Sequence, residues 1–236
     1  MPAPMAAPSP RGECRMTGVK VFVALTRRED VSEQYFHDHW RHPHATWGLG
    51  MAARRHYVQS HRIATPHLPA ERQRYDGVAE IWFENVADAA AYNQDPVYRD
   101  KLAPDEPNFI AMRHVRFLVA DQEVLVSGPG GADQDWRELD RPVTTKLLVF
   151  IDPAEAGWAG EGDAELGQAL GAFRHVRSRP NPLVHAKGCF CAGVRELWWP
   201  TLSAFEAGVA AAPAAWERLT SQKAVGSILA VAERHL

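Results

Sequence analysis

The chain has 236 residues, of which 46% are hydrophobic and 23% charged, and its formal net charge is −3. This composition predicts a folded globular protein with one large core or two small ones, and it excludes fibrous or wholly disordered classes. The small charge and the scattered arginines argue against nucleic acid or an anionic membrane as a partner.

The cysteine pattern and the absence of long apolar runs predict the compartment. Cys14, Cys189 and Cys191 are an odd number and show neither zinc-ribbon nor CxxC spacing, which favours a reduced setting. No apolar run is long enough to cross a bilayer, and the start of the chain lacks the apolar segment of a secretory signal. We therefore expect a cytoplasmic protein, with a disordered Pro/Ala tail over residues 1–17.

Residues 18–126 show the periodicities of an α+β domain. Apolar alternation predicts strands at 19–25, 55–61, 77–83 and 113–120, and helical periodicity predicts helices starting near 32 and 86. Ser32 is a plausible N-cap of the first helix. The order β-α-β-β-α-β is that of a ferredoxin-like domain.

The second half of the chain repeats this order. Residues 77–83 (GVAEIWF) and 193–199 (GVRELWW) match at Gly-Val-x-Glu-(Ile/Leu)-Trp-aromatic. A Gly/Pro-rich linker is predicted over 127–142 and a second domain over 143–236. Its strands are expected at 144–152, somewhere within 182–190, at 193–199 and at 227–233, and its helices at 163–176 and 202–211. The predicted fold class is thus α+β, with two tandem ferredoxin-like domains.

Side-chain alternation assigns a set of aromatic and titratable residues to the sheet face away from the helices. If the second sheet covers this face, the space between the sheets becomes a pocket lined by acids, bases and rings; otherwise the face is merely solvated. The residues on it are Tyr57, Gln59, His61, Glu80, Trp82, His114 and Arg116, with Glu196 and Trp198 from the second half.

The stretch FHDHWRHPHATW, residues 36–47, concentrates histidines at the end of the first helix. Trp40 falls on the buried stripe, and Pro43 disfavours helix at His42, so the chain should kink there and aim His44 across the end of the sheet. No two histidines have the spacing of a zinc helix, so we expect no metal. His44 or His39 could act as acid or base, or the histidines could be a solvated helix end.

These residues resemble a known family. The core Phe36-x-x-His39-Trp40-x-x-x-His44, followed by RRHYVQSH and YDGVAEIWF, looks like the EthD domain of the dimeric α+β barrel superfamily over residues 19 to about 126. The second half lacks this core and resembles a degenerate copy. The resemblance implies a barrel of two ferredoxin-like sheets enclosing a small-molecule site, with His44 as the strongest candidate, Trp40 beside it, and His39 where many members have tyrosine.

The leading hypothesis is an enzyme that acts on a hydrophobic, aromatic or alicyclic molecule without an organic cofactor, through oxidoreductase-like or proton-transfer chemistry. His44 would move a proton, with Glu80 or Arg116 orienting it; an internal Glu80–Arg116 salt bridge is the structural alternative for that glutamate. Two other functions stay open, a haem-binding or haem-dependent protein and a non-catalytic carrier. The chain could be a monomer with an internal barrel or a homodimer.

Overall fold

A computed structural model describes residues 18–127, 142–155 and 157–235, so the predicted tail and nearly all of the predicted linker lie outside the described residues. The strands are β1 (Val19–Leu25), β2 (His56–Arg62), β3 (Gly77–Phe83), β4 (Arg116–Val126), β5 (Val143–Ile151), β6 (Arg174–Pro180), β7 (Gly193–Trp199) and β8 (Ala224–Arg234). The helices are α1 (Glu33–His39), α2 (Thr46–Gly48), α3 (Val86–Ala90), α4 (Ala103–Phe109), α5 (Asp163–Ala169), α6 (Leu202–Ala211) and α7 (Pro213–Ser221). Short π-helical turns cover Trp40–Ala45 and Tyr98–Leu102.

The strands close into one antiparallel barrel in the order β1-β3-β2-β8-β5-β7-β6-β4. The first four strands form one contiguous half, the last four form the other, and the pairs β2–β8 and β4–β6 join the halves. Closure leaves no free edge among the eight described strands. The predicted fold class, two ferredoxin-like units forming an α+β barrel, is confirmed.

Two predictions for the second half are wrong. The predicted helix over 163–176 ends at Ala169, and the second strand of this half is β6 rather than a segment within 182–190. The charged side chains of β6 give no apolar alternation from which a strand could be predicted. Arg177, for example, is buried, and its guanidinium lies 2.8 Å from the carboxylate of Asp163. Paired charges of this kind let a polar segment form an inner strand.

The barrel interior contains four buried charges, which we call the interior tetrad: Lys20, Glu80, Lys146 and Glu196. The Lys20 ammonium lies 2.5 Å from a carboxylate oxygen of each glutamate, and Lys146 contacts both glutamates as well. None of the four side chains has any solvent exposure. The prediction of a pocket between the sheets is therefore wrong, because this space holds two lysines whose charges are balanced by two glutamates.

The two halves supply equivalent supports to the tetrad. Ser60 donates a hydrogen bond to Glu80 (2.6 Å), and Ser178 donates one to Glu196 (2.9 Å). Burial lowers the pKa of Lys20 to about 8, although both carboxylates oppose this shift. For Glu196 burial alone would raise the pKa, but the two ammoniums outweigh burial and lower it to about 2.

The glycine that opens the repeated segment provides space for a tryptophan on the helix side of each half. A Cβ at Gly77 would lie 2.3 Å from a ring carbon of Trp40, and a Cβ at Gly193 would lie 2.4 Å from a ring carbon of Trp158. Only glycine permits such close approach of a ring to the strand. In the first half this contact positions Trp40 beside the cavity described next.

Candidate functional site

The first half contains a partly open cavity of about 390 Å³ between its helices and the outer face of the barrel. Its wall is mostly apolar and aromatic, with a few polar groups, as is typical of small-molecule sites. The lining residues are Val23, Leu25, Trp40, His44, Tyr57, Ala79, Ile81, Ala89, Ala90, Tyr92, Asn93, Tyr98, Glu106, Ile110, Met112, Val115 and Phe117.

The facing predicted for β2 is reversed. Val58 packs with Trp82 inside the barrel, whereas Tyr57 belongs to the core on the helix side and lines the cavity. Gln59 is fully buried on the same side, where its amide donates to the Tyr57 hydroxyl (2.8 Å) and to the Trp40 carbonyl (3.0 Å). Tyr57 and Gln59 thus lie near the cavity because their side chains face the helices, whereas the prediction placed them on the face away from the helices.

The kink predicted at Pro43 is present and directs His44 to the cavity. Helix α1 begins after the N-cap Ser32, whose hydroxyl accepts a hydrogen bond from a backbone N–H. His42 has an extended backbone (φ −152°, ψ 125°), since the residue before proline avoids the helical region. Beyond this kink His44 is buried in the cavity wall.

Asp105, on α4, connects the two candidate histidines. Its carboxylate lies 2.9 Å from Nδ1 of His44 and 2.9 Å from Nε2 of His39. Because Nδ1 of His44 is bound to Asp105, Nε2 is the nitrogen that His44 can offer to a ligand. The Nδ1 of His39 lies 3.3 Å from the hydroxyl of the exposed Tyr35.

Burial sets the protonation state of this cluster. Burial lowers the pKa of His44 below its usual 6.5, and the bond to Asp105 only partly opposes that shift. The pKa of Asp105 would be raised by burial, but hydrogen bonds from His44, His39 and Asn108 outweigh this effect and lower it. Near neutral pH His44 is therefore a neutral imidazole held in one tautomer by a carboxylate, as a general base requires.

The acidic residue in the cavity wall, Glu106, was not identified from the sequence. The Glu106 carboxylate accepts a hydrogen bond from the Tyr98 hydroxyl (3.2 Å), and the ring of Tyr92 lies 4.8 Å from that of Tyr98. Burial raises the pKa of Glu106 to about 7. The aromatic spacing of the two tyrosines within AYNQDPVY was the available signal in the sequence.

The other predicted site residues lie away from the cavity. Glu80 and Trp82 point into the barrel, on the opposite face of β3 from the cavity residues Ala79 and Ile81, so Glu80 does not orient His44. Glu196 and Trp198 have the same place in the second half, where the Lys146 ammonium lies 4.1 Å from the ring of Trp198.

Three further predicted residues are also outside the cavity wall. His114 and Arg116 are exposed, and Arg116 donates to backbone carbonyls rather than pairing with Glu80. His61 is buried beneath α1, with its Nδ1 2.9 Å from Nδ1 of His37. The side chains of these residues do not line the cavity.

Two general properties concern metals and membranes. Within residues 18–127, 142–155 and 157–235, no group of three or more His, Cys, Asp or Glu side chains is arranged to hold a metal ion. In that same part of the chain, no helix has the length and apolar character needed to cross a bilayer.

Comparisons with known proteins concern the fold of the whole chain and the family of its first half. No curated protein matches the chain. A crystal structure of an anthrone oxidase-like protein has a TM-score of 0.59 at 14% identity, with 94% of this chain and 92% of that chain covered. A protein named as a monooxygenase from Fusobacterium nucleatum subsp. nucleatum has a TM-score of 0.51 at 9% identity, with 92% of each chain covered.

A third structure, a protein named as a chlorite dismutase, has a TM-score of 0.52 at 9% identity and covers 92% of this chain and 95% of its own. At such low identities these likenesses show the fold alone. The EthD domain model matches residues 28–113, the segment that carries both histidines, Asp105 and Glu106. Residues 28–113 are therefore an EthD domain, located in the first half of an α+β barrel.

Proposed function

We propose that this chain is a small-molecule enzyme that binds a hydrophobic aromatic or alicyclic compound in the cavity and removes a proton from it with His44. The observation that carries this proposal is the buried His44, paired with Asp105, in the wall of an otherwise largely apolar cavity. No side chain used in this step requires an organic cofactor.

The chemistry follows from the geometry of the pair. His44 offers Nε2 to the cavity, accepts the proton there and becomes an imidazolium whose charge Asp105 compensates. A carbon acid whose anion is delocalised into an aromatic ring suits this base. Capture of that anion by dioxygen would be oxidoreductase-type chemistry, whereas reprotonation elsewhere would be isomerisation.

Anthrone is a suitable probe because it is a flat ring ketone with an acidic methylene group, and an anthrone oxidase-like protein shares the fold. Under nitrogen, in deuterium oxide, we expect the chain to accelerate exchange of the methylene hydrogens, followed by nuclear magnetic resonance. His44→Ala should reduce the accelerated rate by about 10²-fold or more. In air, oxygen uptake above the buffer rate would indicate oxidoreductase-type turnover.

The matched control is His114→Ala, which removes an exposed histidine outside the cavity wall and should leave the exchange rate unchanged. Equal exchange in wild type and buffer, together with tight anthrone binding, would refute the enzyme and favour a carrier. Equal rates for wild type and His44→Ala would refute the assignment of the base.

Haem binding is the alternative that shares the same histidine. A carboxylate on Nδ1 is a common support for an axial histidine. However, the described residues that line the cavity include no Lys or Arg for the haem propionates, while Glu106 adds a carboxyl group to the wall. The wall therefore does not fit haem. A Soret band that appears on titration with haemin and is lost in His44→Ala would contradict this conclusion.

A further inference from the structure

A second titratable group faces the cavity that contains His44. Asp105 and Glu106 are consecutive on α4, and their side chains diverge by about 100° around the helix. Asp105 turns to the two histidines, whereas Glu106 lines the cavity. One short helix thus supplies both the partner of the base and a separate carboxyl group.

The surroundings of Glu106 favour its protonated form near neutral pH. Tyr57, Tyr92 and Tyr98 line the same cavity, and Tyr98 donates to Glu106. Burial raises the pKa of the carboxyl group to about 7; the hydrogen bond from Tyr98 lowers it, and the charge of Asp105 raises it. A protonated carboxyl group in an aromatic wall can donate a hydrogen bond that a carboxylate cannot.

We propose that Glu106, as a carboxylic acid, donates a hydrogen bond to the carbonyl oxygen of the ligand, so that the cavity selects enolisable aromatic ketones. This inference rests on the proposed function of His44. The acidic C–H bond conjugated with the carbonyl breaks, which in anthrone is that of the methylene group across the central ring, and its proton moves to Nε2 of His44. The electron pair enters the conjugated ring system as a new carbon–carbon π bond, and the carbonyl π pair moves to the oxygen, where the Glu106 O–H stabilises the enolate.

Tyr98 is a positioning residue in this arrangement. Burial raises its pKa to about 12, so its hydroxyl remains protonated and continues to hold Glu106. Since the hydrogen bond from Tyr98 lowers the pKa of Glu106, Tyr98→Phe should raise that pKa. Tyr98→Phe should therefore raise the pH at which Glu106 loses its proton, and a tyrosine with a purely structural role would cause no such shift.

The first test is the pH profile of anthrone exchange in deuterium oxide between about pH 5.5 and 9. His44 acts unprotonated, so the rate should rise as the pH passes its lowered pKa. Glu106 acts protonated, so the rate should fall as the pH passes about 7. Glu106→Gln should abolish this alkaline fall, because an amide donates at every pH, and Tyr98→Phe should move the fall to higher pH.

Removing the hydrogen-bond donor at position 106 should lower the exchange rate more than replacing it with the amide of glutamine. Glu106→Leu should lower the exchange rate about 10²- to 10³-fold near pH 6.5, as expected for a missing donor at a developing oxyanion. The matched control is Glu217→Gln on the exposed face of α7, which should leave both the rate and the profile unchanged. Circular dichroism of each variant checks that it is folded.

A binding test needs no turnover. Anthracene has the same ring system as anthrone and no carbonyl, so wild type should bind anthrone about ten-fold more tightly, and Glu106→Leu should bind both alike. An unchanged preference and profile in both Glu106 variants, while His44→Ala abolishes exchange, would overturn this inference and leave the proposed function standing. Unchanged exchange in His44→Ala would instead overturn the proposed function.

Discussion

Glu80 was predicted from the sequence to orient His44 and is a buried structural anion in the fold, so its neutralisation tests the interior tetrad. In Glu80→Gln the Lys20 and Lys146 ammoniums would share one carboxylate, Glu196, in a space with no solvent exposure. The amide oxygen could still accept from Ser60. Breaking a buried ion pair by removing one partner costs about 3–5 kcal/mol, and here that partner serves two cations.

The free energy of unfolding, measured with urea near neutral pH, should therefore fall by about 4 kcal/mol in Glu80→Gln. The surface control Glu217→Gln should change it by less than about 0.5 kcal/mol. In the double variant Glu80→Gln with Lys146→Met, one anion again faces one cation, so its loss should be smaller than the sum of the single losses.

A loss below about 1 kcal/mol in Glu80→Gln would refute this account of the interior. So would additive losses in the double variant. If the folded Glu80→Gln protein instead lost anthrone exchange, Glu80 would act on the cavity through the sheet, and the separation of interior and cavity would be wrong.

Two further predictions concern packing and thiol chemistry. Gly77→Ala places a methyl group against the Trp40 ring, so it should destabilise the fold by about 1–3 kcal/mol and change tryptophan fluorescence, whereas Gly160→Ala, with open space around it, should do neither. Equal stability of the two variants would contradict the packing assignment. The hydrogen bond from Cys191 lowers the pKa of Cys189 to about 6, so iodoacetamide near pH 7 should alkylate Cys189 before Cys191, as followed by mass spectrometry. In Cys191→Ala, which removes the donor, this reaction should slow, and an unchanged rate would exclude the thiol contact as its cause.

Strands that the sequence predicted well are those in which one face packs under helices and the other faces the barrel. β1, β3 and β7 begin and end at the predicted residues. Both ends of β5 lie within one residue of the prediction. Their β-branched and apolar residues, bounded by glycine or a turn, carry the information locally. The helix start at Ser32 was likewise local, because the N-cap bond lies within one turn.

The facing of β2 could not be predicted because its two faces do not differ in polarity or burial. Every residue from His56 to His61 is buried, so polar residues face both sides. The polar side chains on the helix side are satisfied by distant partners, as His61 is by His37. Those partners are defined only when the chain has folded, and no local pattern in YVQSH reveals them.

Asp105 and Glu106 were missed for a related reason. They lie between two prolines in LAPDEPNF, a composition typical of a loop or a helix end. Their roles depend on contacts with residues far away in the chain, namely His44 for Asp105 and the cavity wall for Glu106. The sequence could predict that His44 matters, but the carboxylate that orients it came only from the tertiary structure.

One substitution distinguishes the cavity of the first half from the equivalent space in the second half. The repeated segments align Ala79 with Arg195, and Ala79 lines the cavity. Arg195 is fully buried in the equivalent space, where its guanidinium lies 3.1 Å from the carboxylate of Asp163 and donates to the Trp158 carbonyl at 2.6 Å. A long side chain with its counter-ion occupies the volume that a methyl group leaves free. Arg195 and Asp163 therefore occupy, in the second half, the space that the cavity takes beside Ala79 in the first half.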